Sequence, residues 1–104
     1  MNQVKIHTKK ELLNALSKNR EMIKLFGVTS LGVFGSFSNG KIKDSSDVDL
    51  LVDFDPAKKS FDNFMDLSFF LEGIFGRKVE IVTTQSLSKF IGPHILNEVQ
   101  IVSL

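Results

Sequence analysis

At 104 residues, with 42% hydrophobic and 24% charged side chains, the chain has the length and balance expected of one soluble globular domain spanning residues 1–104. A formal net charge of +1 gives no bulk electrostatic case for nucleic acid as the main partner, and the absence of cysteine excludes a disulfide framework, a thiolate nucleophile and Cys-ligated zinc. The N-terminus lacks the apolar segment of a signal peptide, and no apolar run approaches the ~18 residues of a membrane span, so a cytoplasmic protein without membrane attachment is expected.

Thr8 to Glu11 reads as a capping box, and Leu12, Leu13, Leu16, Ile23 and Phe26 follow at helical spacing up to Gly27. One helix over Lys9 to Phe26 is predicted, with Lys9, Lys10, Lys18, Arg20 and Lys24 on its solvated face. Val28 to Phe34 is an apolar run between glycines and reads as a buried strand. Ser36 to Asn39 suits one helical turn, and Lys41 to Ser46 has loop composition. A second strand runs from Asp47 to Phe54 and ends at Asp55-Pro56, where proline removes a ladder donor.

Ser60 caps the next predicted helix, Phe61 to Phe75, closed by Gly76, whose broad apolar stripe belongs to a core. Arg77 to Thr83 reads as a third strand by its Val79, Ile81 alternation, with Glu80 on its other face. Thr84 suits the cap of a turn through Leu87 and Phe90. Pro93 then suits the first position of a last short helix, His94 to Glu98, with His94 read as a surface or capping residue. Val99 to Val102 is an edge strand or a packed tail. The order is that of an α/β (α+β) fold with a small mixed sheet flanked by helices.

The chemistry gathers between Phe34 and Phe54. Side chains of a strand alternate, so Asp47 and Asp49 share one face while Val48, Leu50 and Val52 share the other. Paired carboxylates repel unless a cation lies between them. Glu80, from a neighbouring strand, offers a third carboxylate, and three such oxygen donors suit Mg²⁺. Two ions there would clamp the attacking and leaving oxygens of a phosphoryl or nucleotidyl transfer. Gly35-Ser36 suits a phosphate, because a glycine at a strand end lets the backbone come close and the serine adds a hydroxyl donor. Asp53 shares the face of Asp47 and Asp49 but lies at the far end of the strand and is expected to be solvated. Arg77 and Lys78 could neutralise part of the acidic cluster or a nucleotide.

Gly35-Ser36, ten intervening residues and Asp47-x-Asp49 resemble the signature of the minimal nucleotidyltransferases, small members of the DNA polymerase β superfamily. The likeness extends to the strand around Glu80 and the tail containing Pro93. Such proteins are similar to the antitoxins of HEPN–MNT toxin–antitoxin pairs. The resemblance implies a polymerase β-like nucleotidyltransferase fold and Mg²⁺-dependent transfer of AMP from ATP to a hydroxyl, in some members a Tyr of the HEPN toxin. It implies that Gly35 and Ser36 hold the triphosphate. It also implies that Asp47 and Asp49 ligate both metals, and that Glu80 helps bind one of them and activates the acceptor. The chain departs from the family in having Ser38-Asn39-Gly40 where Ala-Arg-Gly is frequent, and Glu80 where Asp is. Lys41 or Lys43 could replace the missing cation near the phosphates.

A chain this small has no second domain to enclose an acceptor, so a partner protein or an oligomer is expected to complete the site. With no Tyr in the sequence, any Tyr acceptor is expected on another molecule. Two other readings fit the same residues. One is a binding module that neutralises its partner by occlusion. The other is nucleotidyl transfer to a small molecule, disfavoured because an acceptor-binding domain is lacking.

Overall fold

The computed structural model describes residues 5–84 and 92–104. Its first helix starts where the capping box predicts. Thr8 is extended, its hydroxyl accepts from the Glu11 amide at 3.1 Å, and Glu11 Oε1 accepts from the His7 amide at 3.0 Å. Helix α1 covers Lys9–Lys18 and α2 covers Arg20–Leu25, so the single predicted helix is broken at Asn19. Asn19 leaves helical geometry (φ −109°, ψ 12°), and its Nδ2 donates to the Ala15 carbonyl at 2.8 Å. A short amide side chain competes in this way with the helical ladder. The apolar period survives the break, because Leu12, Leu16 and Ile23 are all fully buried.

The β-branched runs form a four-stranded mixed sheet among the described residues, ordered β3-β2-β1-β4. Strand β1 (Val28–Phe34) pairs antiparallel with both β2 (Val48–Phe54) and β4 (Gln100–Val102). Strand β3 (Val79–Thr83) runs parallel to β2, which requires a long crossover, and α4 (Phe61–Phe75) supplies it. Ser60 caps α4 through the Asn63 amide at 3.1 Å, and Gly76 ends it in the left-handed conformation. The four-residue α3 (Ser36–Asn39) follows β1, and α5 (Gly92–Glu98) precedes β4, taking in Gly92 and Pro93 ahead of the predicted start. Val99 lies outside the edge strand. The turn expected through Leu87 and Phe90, and the side chain of His94, lie outside the described residues.

Parity decides what each face of the sheet carries. Val33, Val48, Leu50 and Val52 are fully buried against Leu12, Leu16, Ile23, Leu67, Leu71 and Phe75. Each such side chain contributes roughly 1.5–3 kcal/mol relative to exposure. The opposite face has a smaller cluster of Phe34, Leu51 and Ile95, with Val82 and Val99 packed beside it. Asp49 and Asp53 alternate with Leu51 on that second face, under the α5 side of the molecule. The core therefore anchors the strand from one side and leaves its carboxylates on the other. No helix among the described residues is long and apolar enough to cross a membrane.

Candidate active site

Strand β2 begins at Val48, so Asp47 is the last residue of the preceding loop and is exposed, while Asp49 is half-buried within the ladder. Glu80 is the register partner of Asp49 on the parallel neighbour β3. Both side chains leave the sheet on the same face, and the two carboxyl groups share a hydrogen bond. Asp49 is pushed up to about 6 from its ordinary 3.8. Burial is the largest cause, followed by the charges of Glu80 and Asp47, the hydrogen bond to Glu80 and the charge of Glu98.

A carboxylate disfavoured by its own neighbours in this way is one that a divalent cation would relieve. The donor set is wholly carboxylate, which suits a hard ion such as Mg²⁺. Among the described residues no three carboxylate or imidazole groups already converge as a metal cage. The donors fit the ion by chemistry, and Asp49 and Glu80 face each other in register.

Gly35 ends β1 directly beside this pair. Its backbone (φ 72°, ψ −150°) lies in a region essentially reserved for glycine. A methyl group there would collide with Asp49 Oδ2 and stand 3.1 Å from Asp49 Cγ. Conformation and space both require glycine. The Gly35 carbonyl accepts from the Ser38 and Asn39 amides at 3.0 Å each, which folds α3 back against the strand end and leaves Ser36 half-buried at its start.

One participant escapes a reading of the sequence alone. The Gly35 amide donates to Glu98 Oε1 at 3.3 Å, and the Ser38 hydroxyl donates to the Glu98 carbonyl at 2.5 Å. The β1–β4 register pairs Val33 with Gln100 and Leu31 with Val102; continued outward, it puts Glu98 opposite Gly35. The last residue of α5 thus becomes a fourth carboxylate at the site. The signal was the edge strand itself, but only its register reveals the contact.

Other expected participants differ in their surroundings. Lys41 and Lys43 are exposed in the loop between α3 and β2, and neither ammonium group pairs with an acid among the described residues, where the ion pairs are Lys5–Asp44 and Arg20–Glu21. Arg77 does not reach the acidic cluster. It precedes β3, is buried, and donates to the main-chain carbonyls of Ile6, Lys43, Asp44 and Ser46. Asp53 is not solvated either. Its Oδ2 accepts from Ser30 Oγ at 2.8 Å and its Oδ1 from the Thr84 hydroxyl, so the hydroxyl expected to cap a turn is tied to β2.

Comparison with known proteins fits this geometry. The sequence pattern of the nucleotidyltransferase domain matches residues 9–102. The chain is 41% identical over 80 residues to "Protein adenylyltransferase MntA" of Thermococcus cleftensis, covering 77% of this chain and 80% of that protein. It superposes with a TM-score of 0.70 and 30% identity on a protein provisionally described as a minimal nucleotidyltransferase, covering 85% of this chain and 93% of that one. A crystal structure of a toxin–antitoxin with AMP-PNP shares the fold at a TM-score of 0.64 and 18% identity, over 89% of this chain and 70% of that one. The chain belongs to the nucleotidyltransferase domain family, and its mixed four-stranded sheet with flanking helices is the fold of a minimal nucleotidyltransferase.

Proposed function

We propose that this nucleotidyltransferase, acting as one domain over residues 1–104, moves AMP from ATP onto a hydroxyl of a partner protein, a Tyr of an HEPN-type toxin, and so serves as a cytoplasmic antitoxin. The observation that carries the reading is the grouping of Asp47, Asp49 and Glu80 beside the Gly35 turn, where burial and then the like charges of Glu80 and Asp47 push Asp49 up to about 6. In this reading Asp47, Asp49 and Glu80 hold two Mg²⁺ ions, which when bound offset the triphosphate charge and make the acceptor hydroxyl more acidic. Gly35 and Ser36 hold the triphosphate, and Lys41 and Lys43, unpaired with acids among the described residues, add positive charge near it. Glu80 draws the proton from the acceptor oxygen, which bonds to the α-phosphorus as pyrophosphate leaves.

The name of the Thermococcus relative supports a protein as acceptor, and the nucleotide-bound toxin–antitoxin assembly supports a toxin partner. The chain itself has no Tyr, which also supports an acceptor on another molecule. A partner then completes the site that this small domain leaves open. The test is incubation with labelled ATP, Mg²⁺ and the proposed HEPN-type partner, with Asp49→Asn as control. Label is expected on the partner only with the unmutated chain, and an unlabelled partner refutes the proposal.

One observation favours a second reading, neutralisation by occlusion alone. The Glu98 carboxylate occupies the Gly35 amide that a phosphate would need. Under this reading the complex persists in EDTA, and Asp49→Asn still inhibits the toxin.

A further inference from the structure

Arg77 lies between the two halves of the site without reaching its carboxylates. The side chain is 6% exposed. Nε donates to the Ile6 carbonyl at 2.7 Å, and Nη1 donates to the carbonyls of Ser46, Asp44 and Lys43 at 2.6, 3.1 and 3.2 Å. The guanidinium carbon stands 5.2 Å from the centroid of the Phe37 ring, itself fully buried. Phe37 directly follows Ser36, and Ser46 directly precedes Asp47. One planar cation therefore joins the segment carrying the phosphate turn to the loop that delivers the first carboxylate.

Stability alone does not account for this arrangement. No carboxylate lies within ion-pair distance of Arg77, and its buried Nη2 finds no acceptor, among the described residues. An unpaired buried donor is costly. What the guanidinium achieves is local. It turns three carbonyls of an irregular loop inward, in a stretch with no sheet partner until the Val48 amide meets the Lys78 carbonyl at 2.9 Å. Asp49 and Glu80 need no such help, because the β2–β3 register holds them. Asp47 lies beyond that register, one residue from the Ser46 carbonyl that Arg77 grips.

We propose that Arg77 is a positioning residue for nucleotidyl transfer, setting Asp47 against the sheet-held pair Asp49–Glu80 and locking its loop to the phosphate turn through Phe37. The inference rests on the reading of Asp47 as a metal-holding carboxylate.

The experiment compares Arg77→Met, Arg77→Lys and Asp47→Asn with the parent, each assayed well below its melting temperature. Arg77→Met is expected to lower kcat for AMP transfer about 10- to 100-fold while leaving the KM for ATP within about twofold, because misplacement of a catalytic group acts on the chemical step. The Mn²⁺ affinity of the nucleotide-free protein, read by electron paramagnetic resonance, is expected to weaken about tenfold, as for lost support of a ligand. Arg77→Lys recovers part of both losses, since an ammonium reaches a carbonyl but lacks the fork. A lowered melting temperature with kcat and Mn²⁺ affinity within about twofold of the parent overturns the inference. Should Arg77→Met fail to fold, Arg77→Lys is judged on the same two readouts. Full activity and Mn²⁺ binding in Asp47→Asn would refute the reading of the site itself. An inactive Asp47→Asn beside an unaffected Arg77→Met would remove only the role of Arg77.

Discussion

Asp49 and Glu80 face each other across the parallel β2–β3 ladder, and the charge of Glu80 adds to burial in disfavouring the ionised form of Asp49. The sign of the consequence follows from the raised pKa. A carboxyl whose folded-state pKa lies above its unfolded value stabilises the fold fully below the unfolded value of 3.8, and that contribution is lost as pH rises through about 6. Asp49 is half-buried, so solvent screening reduces the effect to about 1 kcal/mol. Asp49→Asn is therefore expected to abolish transfer yet to be about 1 kcal/mol more stable than the parent in metal-free buffer near pH 8, with the gain shrinking toward pH 4. Urea unfolding of both proteins across this range checks it. A stability difference that does not change with pH counts against the assignment.

Gly35 and Gly40 separate strain from collision. Both have positive φ, but a methyl at Gly40 meets nothing within 4 Å, whereas one at Gly35 drives into Asp49. Gly40→Ala is expected to cost about 1 kcal/mol from backbone strain with transfer retained. Gly35→Ala is expected to cost about 2 kcal/mol and to lower transfer about 100-fold by displacing Asp49. Thermal unfolding and initial rates on the pair provide the comparison, and equal activity in the two variants would refute it.

Asp53 shows that a shared face does not mean a shared role. Its carboxylate joins Ser30 of β1 to Thr84 just beyond β3, spanning three strands of the sheet. Asp53→Ala leaves two hydroxyls without their acceptor and is expected to cost about 1–2 kcal/mol. The rate per folded molecule should stay within about twofold of the parent, because the site lies at the other end of β2. A rate collapse without loss of stability would place Asp53 in the chemistry instead.

Local patterning made much of this molecule legible. The alternation of Val48, Leu50 and Val52 identified the core face of β2 and so the face of Asp49, and Ser60 and Gly76 marked the ends of α4. What escaped depends on partners distant in sequence. The break at Asn19 is hidden because the apolar spacing continues through it. Asp53 reads as a solvated end until the β1–β2 pairing brings Ser30 to it. Arg77 reads as the start of a strand because nothing local distinguishes a cation bound for four carbonyls from one bound for solvent. Glu98 is silent for the same reason, since only the register of a three-residue edge strand carries it to Gly35.

Glu98 yields the last prediction. Its carboxylate accepts from the Gly35 amide and adds negative charge beside Asp49, so it opposes an incoming triphosphate both by occupying a donor and by repulsion. With full solvent screening a unit charge at ~4 Å is worth about 1 kcal/mol, or about fivefold in affinity. Glu98→Gln keeps the shape and removes the charge, and is expected to bind ATP about fivefold more tightly in the absence of metal, with the gain shrinking at high ionic strength. Ser38 still holds the Glu98 carbonyl, so α5 should stay docked in the variant. Calorimetric titration at two salt concentrations measures both effects. Weaker binding by Glu98→Gln would instead identify Glu98 as a contributor to nucleotide binding and reverse its assignment as a competitor.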